Sequence, residues 1–206
     1  MPGLLIYVMG PSGAGKDSLL NFARAHLGAE DGLVFAHRYI TRPFDAGGEN
    51  HVALSGQEFA ARAAAGLFSL HWTSHGNRYG LGLEIESWLG QGLNVVMNGS
   101  RGYLAEAMAR RPEIMPLLVT VDPEALRRRL LARGRESAQA VERRLARLAA
   151  YAGPGPEVYV HDNTPELSES GPRFVALLRA ICAGDHGHAA LAARSQPGPD
   201  RLQNGE

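Results

Sequence analysis

The feature that most constrains this chain is a glycine-rich loop near its start that matches the pattern G-x-x-x-x-G-K, namely Gly10-Pro11-Ser12-Gly13-Ala14-Gly15-Lys16. An apolar run of strand length, residues 4–9, precedes the loop, and apolar residues at helical spacing follow it. Glycines let successive backbone N–H groups turn inward around phosphate oxygens, and the lysine adds a positive charge for the β- and γ-phosphates. The sequence therefore predicts a strand, a phosphate-binding loop and a helix, with ATP as the ligand.

The residue after the lysine departs from the usual pattern, which has Ser or Thr there as an Mg²⁺ ligand. This chain has Asp17, followed by Ser18. A carboxylate is also a ligand for hard cations, so we expect Asp17 to hold Mg²⁺ directly or through water. The alternative is that Asp17 only places a negative charge at the start of a helix. ATP and Mg²⁺ are thus the expected co-substrate and metal, with residues 10–18 binding the nucleotide.

Later apolar runs repeat the alternation of strand and helix, which is typical of a parallel sheet covered by helices. We predict further strands at residues 93–97, 115–121 and 157–161, and helices at 101–110, 123–132, 138–151 and 165–182. The expected fold is therefore a three-layer α/β P-loop NTPase fold.

The length of 206 residues suits one such domain, which we assign to residues 1–184. Residues 39–92 have less regular periodicity and many polar and aromatic side chains, which favours an insertion that binds the acceptor. Residues 127–150 are predicted to form a lid and its flanking helices. Residues 185–206 are polar and without pattern, and are predicted to be a disordered tail.

Composition excludes several classes of function. The 21 basic and 21 acidic residues cancel, so we expect no nucleic acid and no membrane surface as the main partner. No apolar stretch approaches the roughly 18 residues of a membrane span, and nothing in the sequence indicates export. The single cysteine, Cys182, cannot form an internal disulfide and fits a reducing compartment, so cytoplasm is the expected location.

Arginines in two regions are candidates for binding phosphate groups, because the planar guanidinium donates to two oxygens and stays charged. Arg133 lies beside Gly134 between two predicted helices, and Arg144 lies one helix further on. Together with Lys16 they are the predicted catalytic residues. Arg38 and Arg42 precede the insertion and are expected to bind the acceptor. The alternative for each of these arginines is an ordinary solvated surface position.

Several separate motifs, in order, resemble the guanylate kinase superfamily, and more closely the ribose 1,5-bisphosphate phosphokinases of bacterial phosphonate degradation. The likeness runs from Leu4 to about Cys182 and rests on residues 10–19, Tyr39-Ile40-Thr41-Arg42-Pro43, Gly47-Gly48-Glu49-Asn50-His51, Gly66-Leu67-Phe68, His75-Gly76-Asn77-Arg78-Tyr79-Gly80, Asn98-Gly99-Ser100-Arg101 and Arg133-Gly134-Arg135. The resemblance implies a nucleoside monophosphate kinase-like fold with an acceptor-binding insertion and an arginine lid.

The resemblance also implies a reaction, in which ATP and ribose 1,5-bisphosphate give ADP and 5-phosphoribosyl 1-diphosphate. Departures from true guanylate kinases favour this acceptor. Leu70 stands where those enzymes have a Glu that binds guanine, and Asp45 stands where they have a second arginine. Asn98 lies near the position of an acidic residue that faces the base. Two alternatives stay open: a nucleoside monophosphate kinase with an altered base pocket, and a binding module that has lost catalysis.

The resemblance supplies the remaining candidate site residues. The expected partners are a small sugar phosphate and ATP, and a homodimer is a further prediction. The loop around Asn163 is expected to contact adenine. The predicted acceptor contacts are Arg38, Arg42, Glu49, His51, His75, Tyr79 and Asn98.

Overall fold

The computed structural model describes residues 2–46, 49–134, 137–149 and 158–184, with the side chains of residues 133, 138, 144 and 147–149 outside that description. The strands are β1 (Leu5–Met9), β2 (Leu33–Phe35), β3 (Arg38–Ile40), β4 (Val52–Ala53), β5 (Phe68–Ser74), β6 (Asn77–Gly82), β7 (Asn94–Asn98), β8 (Ile114–Thr120) and β9 (Tyr159–Asp162). The helices are α1 (Lys16–Arg24), α2 (Gly56–Ala64), α3 (Glu84–Gly90), α4 (Leu104–Arg110), α5 (Pro123–Arg133), α6 (Ala138–Ala149) and α7 (Leu167–Cys182).

A five-stranded sheet in the order β2-β7-β1-β8-β9 forms the centre of the fold, and every neighbouring pair in it is parallel. This arrangement confirms the predicted α/β fold with a parallel sheet. The central strand β1 is fully buried, as its continuous apolar run predicts. Loops at the carboxyl ends of β1, β7 and β8 therefore meet at one edge of the sheet, where open parallel sheets bind ligands.

Alternate residues of β1 enter two different apolar layers, because successive side chains of a strand point to opposite faces. Ile6 and Val8 pack in one layer with residues of α1, α5 and α7, including the fully buried Phe174. Leu5, Tyr7 and Met9 pack in the other with residues of α3, α4 and β6. Helical layers on both sides of the sheet give the expected three-layer arrangement.

A second sheet in the order β4-β3-β6-β5 occupies much of the region predicted as the insertion. Its core is the antiparallel β5–β6 hairpin, to which β3 adds as a further antiparallel strand. This sheet spans residues 38–82, somewhat less than the predicted 39–92. Helix α3 instead packs Ile85 and Leu89 against Val95 and Met97 of the main sheet.

Several predicted boundaries differ from the observed ones by one or two residues. Helix α1 ends at Arg24, and a turn over residues 25–26 leads to the buried Leu27. The predicted helix at 101–110 begins as a 3₁₀ turn over Arg101–Tyr103 before α4. Within the described ranges, no helix is long and apolar enough to cross a membrane. The predicted tail, residues 185–206, lies outside the described residues.

Candidate active site

The phosphate-binding loop follows β1 directly and ends at Lys16, the first residue of α1, as the sequence predicts. Gly13 and Gly15 adopt positive φ angles of 90° and 84°, a region that side chains disfavour. A Cβ on Gly15 would also come within 2.4 Å of the Asn163 amide nitrogen. The loop therefore has a shape that requires glycine, and it presents its backbone to the cleft at the start of a helix.

Asn163 lies under this loop and not in the cleft. Its Nδ2 donates to the Ala14 carbonyl at 2.6 Å, and its Oδ1 accepts from the Ser170 hydroxyl at 2.6 Å. The side chain is 4 % exposed, so both polar ends of the amide are engaged by buried protein groups. The Asn163 side chain therefore supports the loop from below and is not placed to contact a ligand, whereas an adenine contact from the loop around it stays a prediction.

The support continues to His161, whose Nε2 lies 2.9 Å from the Ser170 hydroxyl oxygen. Because the single hydroxyl hydrogen of Ser170 is donated to Asn163, Nε2 of His161 must carry the hydrogen of this bond. Burial lowers the pKa of His161 to about 4, with Arg173 adding to the shift. His161, Ser170 and Asn163 therefore form a neutral hydrogen-bonded chain, which we call the loop support.

Arg129 of α5 fixes the same region from another side. Its guanidinium donates to the carbonyl oxygens of Asn163 at 2.7 Å, Thr164 at 3.0 Å and Pro165 at 3.0 Å. Sequence reasoning overlooked this arginine, because nothing in the helix pattern indicates which basic residue turns inward. Arg129 holds the turn after β9 in place and with it the loop support.

Lys16 folds back over the loop, where Nζ donates to the carbonyl oxygens of Gly10 and Pro11, both at 2.9 Å. Burial lowers its pKa to about 8, partly opposed by the neighbouring Asp17. A phosphate anion near Nζ would favour the charged form again. Lys16 therefore lies at the phosphate-binding loop and lines the cleft, and its catalytic role stays a prediction.

An open cleft of about 470 Å³ joins the loop to the second sheet. Its volume lies within the range of small-molecule sites. Several side chains around it were predicted as site residues, and Trp72 and Arg101 were not. The side chains that line the cleft include Ser12, Lys16, Asp17, Ser18, Arg38, Arg42, Glu49, Trp72, His75, Tyr79, Asn98 and Arg101.

Four polar side chains form a connected group on the floor of the cleft. Asn98 at the end of β7 donates from Nδ2 to Asp17 Oδ1 at 3.0 Å and to Glu49 Oε2 at 3.2 Å. Glu49 in turn forms a two-point ion pair with Arg38, in which Arg38 Nε lies 2.7 Å from Glu49 Oε1. Residues predicted separately as ligand contacts are therefore bound to one another.

Two of the predicted acceptor residues, Arg42 and His51, differ in their access to the cleft. Arg42 lines the cleft, and its Nε and Nη2 are buried without a hydrogen-bond partner among the described residues. His51 is 7 % exposed, and its ring nitrogens face the carbonyl oxygens of Glu49 at 3.0 Å and Arg42 at 3.1 Å. His51 is therefore not placed for a direct acceptor contact, and it instead ties together the segment that carries Arg42 and Glu49.

The β5–β6 hairpin supplies the opposite wall. Trp72 and Tyr79 are cross-strand partners whose rings stack with centroids 5.5 Å apart. His75 lies exposed at the hairpin turn, lines the cleft and has a positive φ of 48°. Tyr79, His75 and Trp72 thus line the cleft, and the acceptor contacts of Tyr79 and His75 stay predictions.

Some predicted positions lie elsewhere. Leu70, which replaces a guanine-binding Glu in the resemblance, is fully buried in the core, and the exposed Asp45 does not line the cleft. The side chains of the predicted lid residues Arg133 and Arg144 lie outside the described residues.

Among the described residues, no group of three or more His, Cys, Asp or Glu side chains could hold a metal ion.

The parallel sheet, the glycine loop and the adjoining polar cleft define a P-loop phosphotransferase. A guanylate kinase from Anaplasma phagocytophilum shares the fold, with a TM-score of 0.61 at 20 % identity, covering 88 % of this chain and 87 % of that one. No protein-family profile matches the chain.

Curated relatives are much more similar in sequence. Proteins named ribose 1,5-bisphosphate phosphokinase PhnN are 57 % identical in Chromobacterium violaceum, over 86 % of this chain and 94 % of the relative, and 54 % identical in Thiobacillus denitrificans, over 85 % and 93 %. One from Desulfomicrobium baculatum is 54 % identical over 84 % and 93 %. The chain therefore belongs to the ribose 1,5-bisphosphate phosphokinase family, which confirms the family indicated by the sequence.

Proposed function

We propose that this protein transfers the γ-phosphoryl group of ATP to the 1-phosphate of ribose 1,5-bisphosphate, giving 5-phosphoribosyl 1-diphosphate and ADP. The observation that carries the proposal is Arg42, which lines the same cleft as the phosphate-binding loop and whose buried Nε and Nη2 have no partner in the described part of the chain. A buried guanidinium without a partner is unfavourable, and its planar fork fits two phosphate oxygens. The names of the similar curated proteins support the choice of acceptor.

In the proposed reaction, an oxygen of the acceptor's 1-phosphate forms a bond to the γ-phosphorus of ATP, and the bond from that phosphorus to the bridging oxygen of ADP breaks. The attacking oxygen is largely ionised near neutral pH, so no strong general base is required. The chain must bring two anions together in line and offset their charge. Loop N–H groups and Lys16 would do so for ATP, and Arg42 for the 5-phosphate of the sugar.

The residues present fit a magnesium ion held mainly by phosphate oxygens. Asp17 and Glu49 place two carboxylates beside the loop, linked by the amide of Asn98. Mg²⁺ is commonly bound through one or two carboxylates together with substrate phosphates. When bound, Mg²⁺ would neutralise phosphate charge, and Asp17 is the residue that we propose to hold it, directly or through water.

The remaining predictions stay proposals. Arg133 and Arg144 would act from the lid, and His75, Tyr79 and Asn98 would contact the sugar phosphate. We also propose a cytoplasmic enzyme of phosphonate degradation, and a homodimer stays a prediction. A catalytically inactive binding module is disfavoured by Lys16 and the complete glycine loop.

Parallel assays with ATP and Mg²⁺ test the function. Ribose 1,5-bisphosphate, GMP and other nucleoside monophosphates are compared as acceptors, and the products are separated and identified. We expect kcat/KM for ribose 1,5-bisphosphate to exceed that for GMP by about a hundredfold or more. GMP turnover as efficient as that of the sugar would instead favour a nucleoside monophosphate kinase, and no turnover of any acceptor would favour the binding module.

A further inference from the structure

The aromatic wall of the cleft, formed by Trp72 and Tyr79, has the chemistry that proteins use to stack planar bases. Its two rings are nearly parallel, with an interplanar angle of 10°, and both residues line the cleft. Every nucleobase has a π-face, so any of the bases can stack on such rings. Trp72 also stacks on Tyr103, with ring centroids 5.2 Å apart, so Tyr79 is the ring that offers a face to a base. Left uncovered, that face would favour a nucleoside monophosphate as acceptor, in conflict with the proposed sugar substrate.

Arg38 lies over this wall. Its guanidinium carbon is 4.8 Å from the ring centroid of Tyr79 and 5.9 Å from that of Trp72, both within the range of cation–π attraction. The arginine side chain is 11 % exposed. A planar, charged group thus already occupies a position against the rings.

Glu49 holds Arg38 there. The ion pair has two contact points, which fix the plane of the guanidinium as well as its position, and the Glu49 side chain is 14 % exposed. Asn98 binds Glu49 and also Asp17 in the first turn of α1. Displacing Arg38 would leave a mostly buried carboxylate without its cation, which is strongly unfavourable.

We propose that Arg38, fixed by Glu49, covers the aromatic wall and so excludes nucleobases, restricting the acceptor to sugar phosphates without a base. This inference rests on the proposed function and assigns its specificity to Arg38, where the sequence indicated Leu70. Leu70 is fully buried in the core and does not line the cleft. Arg38 acts here as a cover, and the substrate contact predicted for it from the sequence is not part of this role.

The test removes the cover without leaving an unpaired charge, by the double variant Arg38→Ala/Glu49→Gln. A matched control is Arg62→Ala/Glu58→Gln, because Arg62 also pairs with a glutamate, at 2.6 Å, and also lies over a ring, that of Tyr39 at 5.4 Å, but outside the cleft. GMP binding is measured by calorimetry, and kcat/KM is measured for GMP and for ribose 1,5-bisphosphate.

We expect the double variant to bind GMP about tenfold or more tightly than the wild type does, and the ratio of kcat/KM for the sugar to that for GMP to fall about tenfold or more. The control should change neither. Loss of sugar turnover without any gain in GMP binding would overturn the inference, since removing the cover would then not have opened the rings to a base. An unchanged preference in a folded variant would overturn it equally.

Should the double variant not fold, Arg38→Lys serves instead. Lysine keeps a cation for Glu49 but has no planar group to cover the rings, so a smaller gain in GMP binding is expected, and no gain contradicts the inference. Failure of the proposed function is a separate result, because it appears in the wild type as equal use of GMP and the sugar. Failure of the Arg38 inference leaves the wild-type preference intact.

Discussion

The two sides of the cleft are held by different kinds of interaction. The loop support on the donor side consists of the neutral, buried groups of His161, Ser170 and Asn163, which satisfy one another. The acceptor side consists of charged groups, and Arg42 has two buried nitrogens that lack a partner in the described structure. Interactions that are complete without a ligand stabilise the fold, whereas incomplete ones contribute only when a ligand arrives. Changes in the loop support should therefore reduce stability, and changes to Arg42 should reduce binding.

The largest effect is expected for Lys16→Ala, because Lys16 is the donor-side residue whose charge faces the ATP phosphates in the proposed reaction. We expect kcat/KM to fall by about two to four orders of magnitude, since the variant loses a buried positive charge that would stabilise the transferred phosphoryl group. Steady-state kinetics with both substrates measure the loss, and thermal unfolding serves as the control for folding. Near-normal turnover in the folded variant would contradict a catalytic role for the loop.

Arg42→Ala tests the acceptor side. We expect KM for ribose 1,5-bisphosphate to rise by about a hundredfold, comparable to the loss of a charged bidentate contact, with KM for ATP nearly unchanged. The melting temperature should stay the same or rise, because a buried guanidinium without a partner is removed. If Arg42→Ala weakened ATP and the sugar equally, the division of the cleft into two sides would be wrong.

Asn163→Ala tests the loop support directly. The Ala14 carbonyl and the Ser170 hydroxyl would each lose a buried partner, so the free energy of unfolding should fall by about 1–3 kcal/mol. Chemical denaturation measures this change, and ATP binding should weaken with it. Thr164→Ala at the same turn is a control with a smaller expected loss, because the Thr164 hydroxyl is bound to Asp122 and Asp162 and not to the loop. Full stability of Asn163→Ala would mean that the loop holds its shape without support.

The stability of the fold should depend on pH through His161. Its pKa in the folded protein is lowered to about 4, so between pH 4 and its ordinary value of about 6.5 the unfolded chain binds more protons. The neutral, buried His161 therefore contributes its full stability above that pH range and loses it as pH falls through the range. By pH 5 the free energy of unfolding should have fallen by about 2 kcal/mol for this reason. The variant His161→Gln can still donate to Ser170 but does not titrate. Denaturation curves at pH 7 and pH 5 should show the larger loss in the wild type, and equal losses would contradict a neutral buried histidine.

On the donor side, the phosphate-binding loop was largely predictable from the sequence, whereas the loop support was not. The loop is a continuous pattern with fixed neighbours, so its position between β1 and α1 followed from local sequence alone. Asn163 binds Ala14 across 149 positions of chain, and no local pattern indicates which way its side chain points. The motif likeness marked Asn163 as relevant but assigned it to the ligand and not to the loop.

On the acceptor side, the residue types were predicted but not their pairing. Arg38 and Glu49 were each expected to bind the substrate, whereas they bind each other. Trp72 was overlooked because its stacking on Tyr79 depends on the register of β5 and β6, which the sequence does not reveal. Family membership, in contrast, was predictable, because several motifs in order carry more information than any single site.

The backbone conformation of His75 at the hairpin turn is unfavourable for the stability of the fold. His75 has a left-handed backbone at φ 48°, a conformation that glycine or asparagine adopts more easily. A search for thermostabilising changes would therefore select asparagine there, and it would remove an imidazole from the mouth of the cleft in doing so. Any stabilised form of this enzyme should keep His75 until its activity has been measured, since the same residue combines a disfavoured backbone conformation with a side chain that lines the cleft.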